Sequence, residues 1–489
     1  MVHDGGGGGD RGGGQWWWRW RMEMEMVMVM ISKISGCSWW WSDGLVVSLL
    51  VAMLVASWYV IMRSTSNGKK LPPGPRGFPL VGNLFSLEAD LHLYLAKLAQ
   101  VYGPILKLQL GRKCCVVVSS SSLSKEVLRD QDATFANRDA PIAGLVSTYG
   151  GLDIGWSPKV RQTVRDLYYK IDTQGEERTS VGNEFRQVIF EIVELLGKPN
   201  VSDLFPVLRW FDIQGIERRA KTLLAWFDRI FKSVIDQRLK MDKANQTQKQ
   251  SKDFLQFLLE LMEQQDAKIP ISMTQLKALF MDIFVAGTDT TSTTLEWTMT
   301  ETMHNPEIMR KVQEELDEVV GMDNMVEESN LSKLHYLDAV VKETFRLHPV
   351  VPLAVPHCPS SSCIVGGYLV PKGARVLFNV WAIHRDPEAW DNPLVFRPER
   401  FLTDPKKYDY SGNNFNYLAF GSGRRICAGI PLAERMLRYV LASLLHSFEW
   451  RLPEGTQLDL TERFGFVLKK STPLVAIPTP RLLNLELYN

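Results

Sequence analysis

Cys427 stands in Phe420-Gly421-Ser422-Gly423-Arg424-Arg425-Ile426-Cys427-Ala428-Gly429, a run of glycines and two basic residues just ahead of a helix expected to start near Pro431. A helix N-terminus offers free N–H groups and partial positive charge, which stabilise a sulfur anion and lower its pKa, so the stretch suits a thiolate. Its glycines let backbone approach a flat ligand that side chains would hold off. A buried cysteine beside a glycine turn is the plainer alternative. Ala286-Gly287-Thr288-Asp289-Thr290-Thr291 interrupts an otherwise apolar helix expected from about Leu276 to Met303. Hydroxyl and acid groups amid Phe284, Val285 and Trp297 are unfavourable there unless used or hydrogen-bonded, and a Thr-rich helix bonding back to its own carbonyls would also satisfy them. Glu343 and Arg346, three apart, share a helix face; at a surface such a pair contributes about a few tenths of a kcal/mol.

These groups need a large scaffold, and the composition supplies one. The chain has 489 residues, 45% of them apolar, which excludes disorder for its bulk and allows a large core. Its 56 basic and 55 acidic residues leave no charge excess to draw a phosphate backbone, so no nucleic-acid partner is expected. Cysteines at 37, 114, 115, 358, 363 and 427 show no recurring pair spacing of a zinc or disulfide framework, and a reducing compartment follows. Cys114 and Cys115 read as small buried hydrophobes, whereas Cys358 and Cys363 either bridge a loop or remain free thiols.

Beyond residue 80 helical periodicity dominates, as in Phe254 to Met262 and in Val312, Leu316, Val319 and Val320. Short β-prone runs lie at Ile105 to Leu110, Cys115 to Val118, Tyr368 to Val370, Arg375 to Asn379 and Leu474 to Ile477. The expected class is therefore mainly α with small β-sheets. Residues 1–43 are a low-complexity extension, with a run of glycines, Trp16-Trp17-Trp18 and alternating Met, and stay outside the fold. Residues 44–62 are 19 residues without a charge, about 28 Å as a helix, and read as a transmembrane anchor flanked by Trp39 to Trp41 and by Trp58 and Tyr59. The basic residues that follow favour a cytosolic body. Residues 63–80, basic and proline-rich, read as a rigid hinge, with a proline ligand for another protein as the rival account. Residues 81–489 form the catalytic domain.

The Cys427 stretch resembles the signature F-x-x-G-x-R-x-C-x-G of the cytochrome P-450 superfamily, matched at Phe420, Gly423, Arg425, Cys427 and Gly429. The resemblance covers about residues 71 to 480. It is similar to plant endoplasmic-reticulum members, and most to a sesquiterpene-hydroxylase branch near the flavonoid hydroxylases. It implies the cytochrome P-450 fold with an N-terminal membrane helix, haem b (iron protoporphyrin IX) as cofactor, and Cys427 as the thiolate ligand of the iron. Arg425 would then meet a haem propionate, Phe420 would shield the sulfur, and Ala286 and Gly287 would lie against the haem. Asp289 and Thr290 would relay protons in oxygen activation, in a locally distorted helix turn. His357 sits where the family often places a basic residue over a propionate, a solvent-facing loop histidine being the alternative. Glu343 and Arg346 match the family's E-x-x-R element and Arg400 its P-E-R-F element, which implies a buried network of the three. Trp381 to Pro387 reads as structural. By analogy the substrate pocket would draw on Ala140 to Thr148, Phe284 and Val285, Val351 and Leu353, and Phe464 to Val467.

One departure stands out. The family follows the counterpart of Asp153 to Pro158 with a helix bearing W-x-x-x-R, whose Trp and Arg contact a propionate. Here Pro158 leads into Lys159-Val160-Arg161-Gln162, Trp156 and Arg161 do not substitute, and the join resembles a skipped segment. The implied function is a monooxygenase of the endoplasmic-reticulum membrane, single pass with a cytosolic catalytic domain. It would take electrons from an NADPH-dependent cytochrome reductase and insert one atom of dioxygen into an apolar small molecule, terpenoid or phenolic. Two rivals remain. One is a haem-deficient, non-catalytic membrane protein; the other, a reductase-independent haem-thiolate isomerase, fits poorly with Asp289 and Thr290.

Overall fold

Apolar residues spaced three and four apart wind most of the chain into helices that each bury one stripe. The computed structural model describes residues 52–53, 70–157, 182–244, 254–263, 271–404 and 406–488. The long helices are α1 (Leu91–Tyr102), α2 (Gly182–Gly197), α3 (Ile216–Ala244), α4 (Met273–Met281), α5 (Gly287–His304), α6 (Pro306–Val319), α7 (His335–Leu347) and α8 (Ile430–Ser447). Their starts follow local chemistry. Ser272 and Gln275 form a capping box on α4, and α6 and α8 carry proline in their first turn, where its missing N–H leaves no bond unmade.

Helix α5 runs through the middle, packed against α2, α6, α7 and α8. Its polar sequence survives burial because its threonines bond to carbonyls one turn back: Thr294 to Thr290 at 2.9 Å, Thr298 to Thr294 at 2.8 Å, and Thr300 to Glu296 at 2.7 Å. Between α4 and α5 the helix widens into a π-turn over Asp282–Ala286, so the distortion expected at 286–291 lies mostly one turn earlier.

The strands are β1 (Ile105–Leu110), β2 (Lys113–Val118), β3 (Asn137–Arg138), β4 (His357–Cys358), β5 (Cys363–Val365), β6 (Tyr368–Val370), β7 (Arg375–Phe378), β8 (Phe448–Arg451), β9 (Glu462–Arg463), β10 (Lys469–Lys470) and β11 (Ile477–Pro480). One sheet has the order β1-β2-β7-β4-β3, parallel only between β2 and β7. Three two-stranded pieces complete the set: β5 with β6, β9 with β10, and β8 with β11. The expected strand at Leu474 to Ile477 lies three residues later, because the Leu474 amide donates to Glu296 at 2.8 Å and the ladder with β8 begins at Ile477.

The proline segment is tied to the body: Lys107 donates its amide to the Pro73 carbonyl at 2.7 Å, Asn83 Nδ2 donates to that of Pro75 at 3.3 Å, and a Cβ on Gly74 would come within 2.0 Å of the Lys107 oxygen. Cys358 and Cys363 are free thiols, held on different strands. The anchor at 44–62 lies, apart from Ala52 and Met53, outside the described residues, as does nearly all of 1–69; no described helix is long and apolar enough to cross a membrane.

Candidate functional site

The cysteine loop is assembled by backbone bonds before any ligand is considered. The Cys427 amide donates to the Phe420 carbonyl at 3.0 Å, and Gly429 N–H points at Cys427 Sγ from 3.3 Å. Gly423 has φ +66°, and a Cβ there would lie 2.0 Å from the Leu128 carbonyl oxygen, so this glycine serves the fit of the loop against its neighbour more than approach to a ligand. The thiol opens onto a cavity but lies deep in the protein, and burial pushes it up from its ordinary value against the downward pull of Gly429 N–H. The lowered pKa expected from the helix start is therefore not met by these residues alone. An electron-accepting metal is what deprotonates such a thiol.

Behind the loop stands a buried ionic network on α7. Arg346 grips Glu343 with Nε and NH2 at 2.7 and 2.8 Å, and Arg400 Nε reaches the same carboxylate at 3.1 Å. Arg346 NH1 also donates to the His384 carbonyl at 2.9 Å. The His384 ring in turn accepts the Leu418 amide at 2.8 Å, two residues before Phe420. Burial, with Arg346 and Arg385 nearby, holds His384 down at about 3, so it remains a neutral acceptor. The network thus reaches the cysteine loop through one imidazole. Phe420 is further fixed edge-on to Phe345 and Tyr410, each at 5.0 Å.

Cys427, Phe420, Gly429, Ala286, Gly287, Thr290, His357 and Arg425 share a cavity of about 540 Å³ between the cysteine loop and the π-turn. Its other walls include Trp156, Phe284, Val285, Val351, Phe466 and Val467. Of the pocket expected from residues 140–148 only Ser147 and Thr148 line it. Leu353 packs instead in the cluster under the sheet and Phe464 stacks on His92. Asp289 is also outside the lining: it is buried, and Lys469 Nζ holds its carboxylate at 2.6 Å. Burial raises Asp289 and Lys469 pulls it back. Thr290 Oγ1 donates to the Ala286 carbonyl at 2.6 Å, so the back-bonded arrangement is the one seen.

Arg138, Arg425 and His357 line the same cavity. His357 is buried, not solvent-facing; its Nδ1 pairs with the Phe135 carbonyl at 2.8 Å, and burial beside Arg138 keeps it well below its ordinary value. Arg425 is tied to the carbonyls of Ala136 at 2.5 Å, Ile154 at 2.9 Å and Ser157, so its guanidinium straps the Ile154–Ser157 loop down. Arg138, which sequence reasoning missed, faces Arg425. Burial and that charge push it down to about 9, and its Nε has no partner among the described residues. Two guanidinium groups, one with an unused donor, lining a cavity that Cys427 also lines fit a flat dianionic ligand such as haem.

Also missed was a carboxyl pair. Asp282, on the π-turn, accepts the Ile154 amide at 2.7 Å, and Asp153 accepts that of Trp156 at 3.2 Å. Burial and Asp153 raise Asp282 well above the usual range, and burial raises Asp153 to about 6, so the pair retains a proton near neutrality. An acid amid Phe280, Met281, Ile283 and Phe284 was the visible signal for Asp282.

Residues 72–154 and 170–477 match the family described as Cytochrome P450. The chain is similar to the flavonoid 3'-monooxygenase CYP75B137 of Crocosmia x crocosmiiflora, 36% identical over 509 positions that take in 91% of this chain and 98% of the relative. Cytochrome P450 76M5 of Oryza sativa subsp. japonica is 38% identical over 90% of this chain and 98% of its own. Among solved structures, a zebra fish cytochrome P450 with abiraterone superposes with TM-score 0.63 at 30% identity, covering 80% of this chain and 99% of that one.

Proposed function

The chain belongs to the cytochrome P450 family, a haem-dependent monooxygenase acting on small molecules, and from that premise we propose that Cys427 ligates the iron and that the substrate is an apolar terpenoid or phenolic. The single observation that carries the site assignment is the cavity shared by Cys427, the guanidinium groups of Arg138 and Arg425, and the neutral His357. When bound, the haem supplies the redox chemistry that activates dioxygen with electrons from a reductase. The protein's part is separate. Phe420 and Gly429 hold the sulfur in place, Gly423 closes the loop, Ala286 and Gly287 give backbone close approach, and Arg138, Arg425 and neutral His357 serve the propionate edge. Thr290, released from Ala286, offers its hydroxyl to the cavity, and Asp289 beside it refills the proton from the lysine side.

The substrate class rests on the walls, mostly aliphatic and aromatic, and on the flavonoid-oxidising relatives. A membrane anchor over 44–62, with the body on the cytosolic face of the endoplasmic reticulum, is supported by the uncharged run itself. A reduced, carbon-monoxide difference spectrum of the purified chain tests the ligation. A thiolate-type band supports it, and haem bound without that band overturns it.

A second reading, a chain that holds haem weakly, has its own support. The family match breaks between residues 154 and 170, where the W-x-x-x-R helix belongs, and the 509 aligned positions of the Crocosmia relative exceed the 489 residues present here. In this reading a segment after Pro158 is missing.

A further inference from the structure

A buried polar hub lies away from the cysteine, under the hairpin of β9 and β10. Glu462, at the start of β9, accepts Trp381 Nε1–H at 2.9 Å and pairs with His348 Nδ1 at 3.1 Å, Arg385 NH2 at 3.3 Å and His92 Nε2 at 3.4 Å. The other side of His348 meets Glu301 of α5 at 2.7 Å, and its ring lies flat on Trp297 at 3.8 Å. Arg385 stacks over Trp381 at 3.9 Å. One carboxylate therefore collects groups from α1, from the end of α7 and from the Trp381–Arg385 stretch, and through His348 it reaches α5.

The residues that follow Glu462 form the tip between β9 and β10, and Phe466 and Val467 of that tip line the cavity. The tip has other ties as well: the Phe466 ring lies 6.1 Å from that of Trp156, its backbone packs against Gly197, and Lys469 pairs with Asp289. Leu468 donates its amide to Val350 at 2.8 Å, Trp297 Nε1 donates to the Leu468 carbonyl at 3.2 Å, and Phe464 stacks on His92, itself a member of the hub. We infer that Glu462 is a positioning residue that sets where Phe466 and Val467 stand in the cavity, and so governs which face of a bulky ligand is presented to the reaction. Burial by itself would raise this carboxyl. Hydrogen bonds from His348 and His92, with the Arg385 charge, hold it far below the usual range, so it stays an anion that all its partners can grip. The role goes beyond the assigned site and rests on the monooxygenase reading only for its consequence on ligands.

Two variants test it. Glu462→Gln removes the charge, and Trp381→Phe removes one donor while keeping the ring beneath Arg385. Hydrogen exchange is measured on the purified chain with and without haem, and binding of imidazole and 4-phenylimidazole is followed optically in the loaded protein. Imidazole needs only the metal, whereas the phenyl ring must rest on the cavity wall. The expected result is exchange at the Phe464–Leu468 amides faster by about tenfold, with α7 unchanged. With it, 4-phenylimidazole weakens by about tenfold while imidazole moves less than about twofold. Unchanged exchange at the tip in a folded variant overturns the inference, as does equal weakening of both azoles. If Glu462→Gln does not fold, Trp381→Phe decides by the same two criteria. A parent that shows no azole spectrum counts against the haem reading alone, and the exchange data still decide the role of Glu462.

Discussion

Lys469 Nζ lies 2.6 Å from the Asp289 carboxylate, so the acid next to Thr290 is answered by a lysine on the same hairpin that Glu462 anchors. Burial raises the Asp289 pKa and Lys469 opposes the rise. In Lys469→Met the opposing charge is gone, the pKa climbs further, and the carboxyl stays protonated to higher pH. If Asp289 must be protonated to refill Thr290, the alkaline limb of product formed per NADPH moves upward in pH in this variant. A limb that stays in place would show that titration of Asp289 is not on the path.

Thr290→Ala removes the hydroxyl that now bonds to Ala286 and leaves the cysteine loop untouched. Haem content is expected to match the parent, while product per NADPH falls by about tenfold or more and peroxide rises in its place. Equal coupling in variant and parent would remove Thr290 from the relay.

Cys427→Ser keeps the loop's backbone bonds to Phe420 and loses the sulfur. The thiolate-type band of the carbon-monoxide complex should vanish, since an alkoxide or alcohol does not donate electrons as a thiolate does. An unchanged spectrum would mean that another residue holds the iron.

Glu343→Gln leaves Arg346 and Arg400 buried without their carboxylate. Removing one partner of such a network costs about 3 to 5 kcal/mol. Chemical denaturation should show that loss as a lower midpoint. Arg400→Lys, at the edge of the network, should cost less, because Arg346 keeps both of its bonds to Glu343.

The cysteine loop, β1 and β6 were legible because each is local: a signature of ten residues, or an alternating run ended by a turn. The partners of that loop were not. Arg425 meets a carbonyl 289 residues away, and Asp282 meets an amide 128 residues away, so no window along the chain could pair them. The π-turn was foreseen as a distortion but displaced, since periodicity reports which residues are apolar and not where a helix takes in an extra residue. The resemblance gives Asp289 a proton-relay role and says nothing of where its side chain turns. Its side chain turns to Lys469, a cation that hydropathy along α5 cannot reveal.

Inserting a W-x-x-x-R segment from a relative after Pro158 should raise the haem-to-protein ratio of the purified chain. Each charge-assisted hydrogen bond regained contributes about 1.5 to 3 kcal/mol, so two contacts strengthen binding by roughly a hundredfold or more. Stoichiometric haem in the chain without the insert would mean that Arg138, with its unused Nε, already serves that edge.

The proline segment has a mechanical consequence. Because Pro73 and Pro75 are bonded to Lys107 and Asn83, and Leu369 donates its amide to Lys70 at 2.9 Å, a pull on the preceding residues is not absorbed by a swivel. The load enters at β1 through Lys107 and at β6 through Leu369. From β1 it passes through β2 and β7 to β4, where His357 forms part of the cavity wall. Tension on the N-terminal side is thus delivered to the rim of the cavity through a stiff lever of four strands.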